Sequence, residues 1–248
     1  MICGLLGKTL GHSRSPEIHA RLGTYEYRLY ERQEEEIPDF LRNGEWRGLN
    51  VTIPYKKTVV PFLDGMSPAA ASLGSVNTIL RREDGSLWGD NTDVTGFEAM
   101  VRRFRFPVAG EKVLVLGSGG ASAAVREALH RLDARPVTIS RSGEFNYQNL
   151  FLHADAGFVV NTTPVGMFPR MDASPLDLRE LPALRGVIDI IYNPLETRLM
   201  RQAAERGIPC CNGLYMLVAQ AWRGSELFQG QPIPESRVEE IYQEMSRA

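Results

Sequence analysis

The sequence predicts an α/β protein built around one βαβ unit at residues 112–141. The apolar run at residues 113–116 is typical of a buried strand, and it breaks into a glycine-rich turn at 117–120. Small residues then recur at helical spacing over 121–129, and residues 136–140 form a second apolar strand. A strand, a tight turn, a helix and a second strand in this order indicate a dinucleotide-binding unit with a right-handed crossover.

The glycines of the turn point to a phosphate-containing ligand. Without Cβ atoms, Gly117 and Gly119 let the backbone turn sharply and approach a pyrophosphate, whose charge is met by free N–H groups at the helix N-terminus. The residues expected at this site are Gly117, Ser118, Gly119, Gly120 and Ala121. The alternative is a turn that only packs a helix on a sheet, because Ser122 stands where the fingerprint has its third Gly or Ala.

The residues after the second strand favour NADP over NAD. An acid at this point would bind the ribose hydroxyls of NAD, whereas Ser140, Arg141 and Ser142 offer a guanidinium and two hydroxyls that suit a 2′-phosphate. The alternative is that Arg141 is an ordinary surface arginine.

The composition of the chain argues against several classes of binding partner. The 248 residues are enough for one large or two modest domains, and the net charge of −2 gives no support for a nucleic-acid partner. The three cysteines match no metal-ligand spacing, so we expect no metal and a reduced, cytoplasmic setting. Because no apolar run reaches membrane-spanning length and the N-terminus does not resemble a signal peptide, we expect no membrane partner.

Short strands and helices alternate over the first hundred residues. The predicted strands lie at residues 2–6, 25–29, 48–53, after Thr78 and at 87–90, and the predicted helices lie at 16–22, 37–41 and 94–103. Tyr25, Tyr27 and Leu29 alternate along the second strand, and Asp84-Gly85 predicts a hairpin turn between the last two strands.

Several polar residues of the first hundred lie at the ends of predicted strands and helices. Ser15 is expected to cap the first helix. Ser13 and Arg14 then lie beside the helix N-terminus as a candidate binding site for a carboxylate. Lys56 follows the strand that stops at a proline, where ligands of open α/β sheets bind, although it could be a surface lysine. Asn91 or Asp93 could cap the next helix.

The chain after the βαβ unit continues the same alternation. The predicted strands lie at 157–161 and 186–191, and the predicted helices lie at 198–206, 214–221 and 234–248. Thr197 is expected to cap the first of these helices, and the last should turn Val238, Ile241, Tyr242 and Met245 inward. Gln220, a polar residue in an apolar helix, is either a core amide or a ligand contact.

Several separated stretches together resemble the motif set of shikimate dehydrogenases. They are residues 11–16 (GHSRSP), 50–56 (NVTIPYK), 76–78 (VNT), 90–93 (DNTD), the turn at 117, residues 161–167 (NTTPVGM), and Met216-Leu217 with Gln220. The match runs from the first strand to the helix around Gln220, so it covers nearly the whole chain.

The resemblance implies a fold and a reaction. The fold is an N-terminal α/β substrate domain, residues 1–94 with the helices of 214–248 returning to it, and a Rossmann-type NADP-binding domain, residues 95–213, with a cleft between them. The implied activity is the reversible NADPH-dependent reduction of 3-dehydroshikimate to shikimate, in the chorismate route to aromatic amino acids. The implied protein is a monomer or a homodimer.

The resemblance also implies residue roles. Lys56 and Asp93 would form the catalytic pair. Ser13 and Ser15 would hold the substrate carboxylate, and the ring hydroxyls would be bound by Thr52, Asn77 and Gln220. The cofactor would be bound by the glycine turn together with Ser140, Arg141, Thr162 and Met216.

One departure from the family pattern leaves alternatives for the function. The family commonly has Asn-Arg-Thr and another basic residue at the phosphate, whereas here Arg141 is the only arginine of the clamp and Glu144 lies nearby. A relative that also oxidises quinate or uses NAD is therefore an alternative. A nucleotide-binding regulator without catalysis is less favoured, because none of the implied catalytic and substrate residues is missing.

Overall fold

The computed structural model describes residues 1–11 and 13–247, so His12 of the first motif and Ala248 of the last predicted helix lie outside the described residues. The chain forms two compact units, Met1–Gly96 with Val218–Met245, and Phe97–Leu217 with the last residues of the chain. Each unit contains one β-sheet and several helices, so the predicted α/β class is confirmed.

Helices occur in both units. They are α1 (Ser15–Leu22), α2 (Ile37–Asn43), α3 (Pro68–Leu73), α4 (Thr92–Arg103), α5 (Gly120–Arg131), α6 (Arg198–Glu205), α7 (Leu214–Gln229) and α8 (Ser236–Ser246). The boundaries between the units fall within α4 and α7. None of the helices in the described ranges is long and apolar enough to cross a bilayer.

The sheet of the first unit is mixed. Its strands are β1 (Ile2–Gly7), β2 (Glu26–Glu31), β3 (Gly48–Val51), β4 (Gly65–Met66), β5 (Thr78–Arg81) and β6 (Leu87–Asp90), in the order β2-β1-β3-β5-β6-β4. β1 pairs in parallel with β2 and β3, whereas β5 is antiparallel to β3 and β6, which confirms the predicted hairpin. Leu6, Leu49 and Ile79 bring three neighbouring strands into one buried core.

The sheet of the second unit is parallel throughout. Its strands are β7 (Lys112–Leu116), β8 (Arg135–Ile139), β9 (Phe158–Asn161), β10 (Gly186–Asp189) and β11 (Cys210–Cys211), in the order β11-β10-β9-β7-β8. Parallel sheets are covered on both faces, which explains why β7 is a continuous apolar run rather than an alternating one. With α5 between β7 and β8, the predicted βαβ unit is confirmed.

The first glycine of the turn has a conformation that only glycine adopts easily. Gly117 has a φ of +106°, and a Cβ there would lie 3.0 Å from the Thr162 hydroxyl oxygen. The tight turn between β7 and α5 therefore depends on glycine at this position.

One prediction for the first unit, the cap of α1, is wrong. Ser15 does not cap α1 but is its first residue, and Arg14 occupies the N-cap position without a side-chain cap. The hydroxyl of Ser13 instead accepts a hydrogen bond of 3.2 Å from the Ser15 N–H, which satisfies one donor of the first turn. The second predicted strand, along which Tyr25, Tyr27 and Leu29 alternate, corresponds to β2, the edge strand of its sheet.

Other differences concern the ends of elements. α4 begins at Thr92, and Asn91 does not cap it, because its side-chain oxygen has no hydrogen-bond partner among the residues that the structure describes and its amide donates to the Ser75 carbonyl. β10 ends at Asp189, two residues before the predicted end, and α7 continues to Gln229. The predicted cap of α6 is confirmed, since the Thr197 hydroxyl accepts a hydrogen bond from the Met200 N–H.

Ser122 provides a test of the packing between α5 and the sheet. Its side chain is 1% exposed, and its hydroxyl has no hydrogen-bond partner among the described residues. Ser122→Ala should raise the free energy of unfolding by about 1 kcal/mol, because it removes an unsatisfied buried hydroxyl and favours the helix. Urea unfolding measures this, with the exposed Ser142→Ala as control. A loss of stability in Ser122→Ala alone would mean that the hydroxyl is hydrogen-bonded in solution.

Candidate functional site

A partly buried ion pair joins the two residues to which the resemblance assigns catalysis. Lys56 follows β3, and Asp93 lies in the first turn of α4. Lys56 Nζ lies 2.5 Å from Asp93 Oδ2, and the two side chains are 21% and 13% exposed. The Lys56 carbonyl accepts a hydrogen bond of 2.8 Å from the Val76 N–H, which fixes the lysine backbone beside the sheet. The pair is thus held in place, yet a ligand can still reach the ammonium group.

Asn77 holds the Asp93 carboxylate from the other side. Its Nδ2 donates to Asp93 Oδ1 at 2.9 Å, and its Oδ1 accepts hydrogen bonds from the Thr92 N–H at 2.7 Å and the Thr78 hydroxyl at 3.0 Å. Because the oxygen faces two donors and the nitrogen faces a carboxylate, the hydrogen bonds define the amide orientation. Asn77 is 3% exposed, so this amide is a buried and fixed part of the site.

The polar network continues to residues that the sequence analysis did not assign to the site. Asn50 Nδ2 donates to Thr78 Oγ1 at 3.3 Å, and the Tyr27 hydroxyl donates to Asn50 Oδ1 at 2.7 Å. Asn50 could have been found, because it is a polar residue within the short strand β3. Tyr27 had no such signal, since its bond to Asn50 spans 23 residues and an aromatic residue in a strand is ordinary.

The two serines lie at the start of α1. Ser13 and Ser15 are both half-buried, and the Ser13 N–H is bound to the Leu10 carbonyl at 2.9 Å. Arg14, between them, forms an ion pair of 3.1 Å with Glu17. The charge of this arginine is therefore shared with a carboxylate of the protein, which leaves the hydroxyls of Ser13 and Ser15, among the described residues of this loop, to bind a ligand.

The last two predicted substrate residues approach the network from β3 and α7. Thr52 follows β3 directly and is half-buried, and in the described chain its side chain makes no hydrogen bond to Lys56 or Asp93. Gln220 is half-buried on α7, four residues before Gly224, and a Cβ at Gly224 would lie 3.1 Å from Asn50 Nδ2. Because residues four apart share a helix face, Gln220 lies on the side of α7 that faces the network.

In the second unit, the turn between β7 and α5 forms an open cradle. Gly119 and Gly120 are exposed, and a Cβ at either position would meet nothing within 4 Å. α5 begins at Gly120 with no side-chain cap, so its first N–H groups face outward for an anion. Thr162 directly follows the neighbouring strand β9, and its hydroxyl donates to the Leu116 carbonyl at 2.6 Å.

The clamp residues follow β8. Ser140 is 9% exposed, and its N–H is bound to the Phe145 carbonyl, which closes a compact loop. Arg141 is exposed and has no ion-pair partner within the described ranges, so its guanidinium can meet a ligand phosphate. Met216, at the start of α7, is 8% exposed. A cradle of glycine, a free helix N-terminus and an unpaired arginine together fit a phosphorylated dinucleotide.

A buried carboxylate supports the loop after β9. Asp189 is fully buried, and it accepts hydrogen bonds from the Asn161 amide at 3.1 Å, the Ile191 N–H at 3.1 Å and the Thr197 hydroxyl at 2.7 Å. Asn161 Oδ1 in turn accepts from the Thr163 N–H at 3.0 Å. Burial raises the pKa of Asp189 to about 6, because these neutral donors compensate only part of the lost solvation.

The fold and the site define a class of protein. A parallel sheet with a dinucleotide cradle, and a sheet that carries a lysine–carboxylate pair, are the parts of a dinucleotide-dependent oxidoreductase. Residues 5–79 match the family model of the shikimate dehydrogenase substrate binding domain. A shikimate dehydrogenase (NADP(+)) of Clostridium perfringens is 35% identical over 98% of this chain and 97% of its own length. The chain therefore belongs to the shikimate dehydrogenase family.

Solved structures agree with this family. A chorismate mutase/shikimate 5-dehydrogenase fusion protein from Clostridium acetobutylicum has a TM-score of 0.93 at 36% identity and covers 99% of this chain and 97% of its own. The shikimate 5-dehydrogenase of Thermus thermophilus, in complex with NADP(H) and shikimate, has a TM-score of 0.89 at 31% identity, with 98% and 99% covered. The chain is an NADP-dependent oxidoreductase, and the alternative of an NAD-dependent or quinate-oxidising enzyme is not favoured.

Asp189 predicts a pH dependence of stability. Its pKa rises from 3.8 to about 6 on folding, so the folded chain binds the proton more tightly than the unfolded chain. This contribution to stability is complete below about pH 4, is lost as the pH rises through 6, and amounts to about 2–3 kcal/mol. Asp189→Asn stays neutral, so the stability of the variant relative to wild type should increase between about pH 4 and 7.

Urea unfolding of both proteins across this pH range measures the effect of Asp189→Asn. Other titrating groups are common to both and cancel in the difference. A constant difference between the two proteins would contradict the raised pKa of Asp189.

Proposed function

We propose that this chain catalyses the reversible, NADP-dependent interconversion of 3-dehydroshikimate and shikimate, with Lys56 and Asp93 as the catalytic pair. The observation that carries the proposal is the contact of 2.5 Å between Lys56 Nζ and Asp93 Oδ2, with Asn77 fixing the second carboxylate oxygen. A fixed and partly accessible ammonium group is what a carbonyl substrate needs when negative charge develops on its oxygen.

Lys56 has two tasks in this reaction. In the direction of reduction, its ammonium group stabilises the developing charge on the carbonyl oxygen and donates the proton that completes the alcohol. In the direction of oxidation, the neutral amine accepts the hydroxyl proton. Asp93 orients the lysine in both directions, and the hydrogen bond from Asn77 keeps the carboxylate from rotating away.

The remaining site residues of the first unit would bind the substrate. Ser13 and Ser15 would donate hydroxyl hydrogen bonds to the carboxylate. The ring hydroxyls would meet Thr52, Asn77 and Gln220. Because these partners are buried or half-buried, an analogue that lacks a hydroxyl leaves one of them unpaired, which gives selectivity.

The second unit would hold the cofactor. NADPH, when bound, supplies the hydride for carbonyl reduction. The first N–H groups of α5 and the turn of Gly117, Ser118, Gly119, Gly120 and Ala121 would bind the pyrophosphate. Ser140 and Arg141 would bind the 2′-phosphate, and Thr162 and Met216 would line the cofactor site.

The proposed substrate and cofactor residues also assign a role to each domain. Residues 1–94 with 214–248 would form the substrate domain, and 95–213 the NADP-binding domain. The cytoplasmic setting and the monomeric or homodimeric state stay predictions from the sequence.

Replacement of the lysine tests the proposed function. Lys56→Ala should lower kcat for shikimate oxidation by about 100-fold or more, because it removes the general base and the charge that Asp93 orients. NADPH binding, followed by cofactor fluorescence, should be unchanged, since the cofactor residues belong to the second unit.

The exposed neighbour Lys57→Ala is the matched control, and it should keep wild-type kcat. Thermal melting confirms that both variants are folded. Unaltered turnover in Lys56→Ala would contradict the role of Lys56, and equal losses in both variants would indicate a general effect of charge.

A further inference from the structure

Thr78 is a buried threonine that no step of the proposed reaction uses. It is the first residue of β5, it is fully buried, and it lies opposite Asn50 in the antiparallel pairing of β5 with β3. Its Oγ1 lies 3.3 Å from Asn50 Nδ2 and 3.0 Å from Asn77 Oδ1. A single hydroxyl therefore contacts two amides of the polar network.

The hydrogen bonds on either side of Thr78 point towards Asp93. The ionised Asp93 carboxylate only accepts, so the amide of Asn77 turns its Nδ2 to Asp93 and its Oδ1 to Thr78. The hydroxyl donates its one proton to Asn77 Oδ1, so the lone pairs of Thr78 Oγ1 accept from Asn50 Nδ2. Three consecutive donors thus end on the carboxylate, and hydrogen bonds in such a series strengthen one another.

This series of hydrogen bonds connects the same two elements that carry the catalytic pair. Asn50 lies on β3 and Lys56 follows that strand, whereas Asp93 lies in the first turn of α4. The contact of 2.5 Å between Lys56 and Asp93 joins the two elements directly, and the series through Thr78 joins them a second time. Because the two connections form a closed ring of contacts, a change in one alters the distance that the other must span.

Thr92 provides a different support for Asn77. Its N–H donates to Asn77 Oδ1 at 2.7 Å, and its hydroxyl lies 3.2 Å from the same oxygen. Because Thr92 and Asp93 are neighbours in α4, these bonds fix the amide relative to the helix. The bond from Thr78 fixes the amide relative to the sheet, since Thr78 is paired with β3.

We propose that Thr78 is a positioning residue whose hydroxyl keeps Asp93 at the distance from β3 at which the carboxylate orients Lys56. It acts through the amides of Asn50 and Asn77 rather than by contact with the reacting atoms. The inference rests on the proposed function, since it takes Lys56 and Asp93 as the catalytic pair. Removal of the hydroxyl should therefore lower the rate of turnover and not only the stability of the fold.

Thr78→Val keeps the branched side chain and removes the hydroxyl. The variant interrupts the series between the two amides, so kcat for shikimate oxidation should fall roughly 10-fold. The KM for NADP should stay near its wild-type value, because the cofactor residues belong to the second unit. Initial rates of nicotinamide reduction measure both constants, and thermal melting measures the stability of the fold.

Thr78→Ser separates positioning from packing. Serine keeps the hydroxyl and loses a buried methyl group, so the melting temperature should fall. The kcat should stay within about 2-fold of wild type, because the hydroxyl still joins the two amides.

Ser225→Ala is the matched control for the loss of a buried hydroxyl. Ser225 is fully buried on α7 in the first unit, and its hydroxyl accepts hydrogen bonds from Tyr25 and Gln229. This variant should lose stability but keep kcat. A fall of kcat that follows the melting temperature across the three variants would overturn the proposal, because Thr78 would then serve packing alone.

A double-mutant cycle with Asn77→Ala tests the route of the effect. If Thr78 acts through Asn77, Thr78→Val should lower kcat much less in the Asn77→Ala background than in wild type. An undiminished effect in that background, or an unchanged kcat in Thr78→Val alone, would overturn this inference while wild-type turnover of shikimate leaves the proposed function intact. Absence of wild-type turnover would overturn both.

Discussion

The Asp93 carboxylate is the group on which the first unit depends. It receives the Lys56 ammonium on one oxygen and the Asn77 amide on the other. These residues come from the turn after β3, the residue before β5 and the first turn of α4, so the sheet and the helix must be correctly placed for the three to meet. A partly buried charge is tolerated only when it is paired and hydrogen-bonded, and here both conditions hold.

The second unit contains a buried carboxylate, Asp189, whose surroundings differ from those of Asp93. Within the described part of the chain Asp189 accepts hydrogen bonds from neutral donors only, and burial raises its pKa. Its hydrogen bond to Asn161 supports the loop after β9, whose Thr162 lies against the glycine turn. One carboxylate is thus kept beside a lysine at an accessible site, whereas the other orders a loop from inside the core.

The spacing of apolar residues was sufficient to predict most strands and helices of the fold. The apolar run of β7, its glycine turn and the helix α5 are local patterns, so the βαβ unit could be predicted from the sequence. Ser15 was mistaken for a cap because sequence alone did not reveal that the Ser13 hydroxyl already binds its N–H. The order of the strands, which places β2 at an edge of its sheet, is a tertiary property that local patterns do not give.

Residues of the site could be predicted where a sequence motif contains them, but their hydrogen-bond partners could not. Lys56, Asn77 and Asp93 lie in motifs that the resemblance identified, and the structure brings them into direct contact. Asn50 and Thr78 lie in the same motifs, but their place in the network, like that of Tyr27, depends on bonds between distant parts of the chain, from Tyr27 to Asn50 and from Asn50 to Thr78. Such bonds depend on side-chain packing across strands, which neither composition nor spacing encodes.

The most direct test of this account is the initial rate of nicotinamide reduction with shikimate or quinate, each supplied with NADP or NAD. The account predicts that shikimate with NADP gives a kcat/KM at least roughly 10-fold above the other three mixtures, because the fixed polar groups around the ring select the substrate and Arg141 selects the 2′-phosphate. Equal or higher rates with quinate or NAD, or no reduction in any mixture while the cofactor still binds, would contradict it.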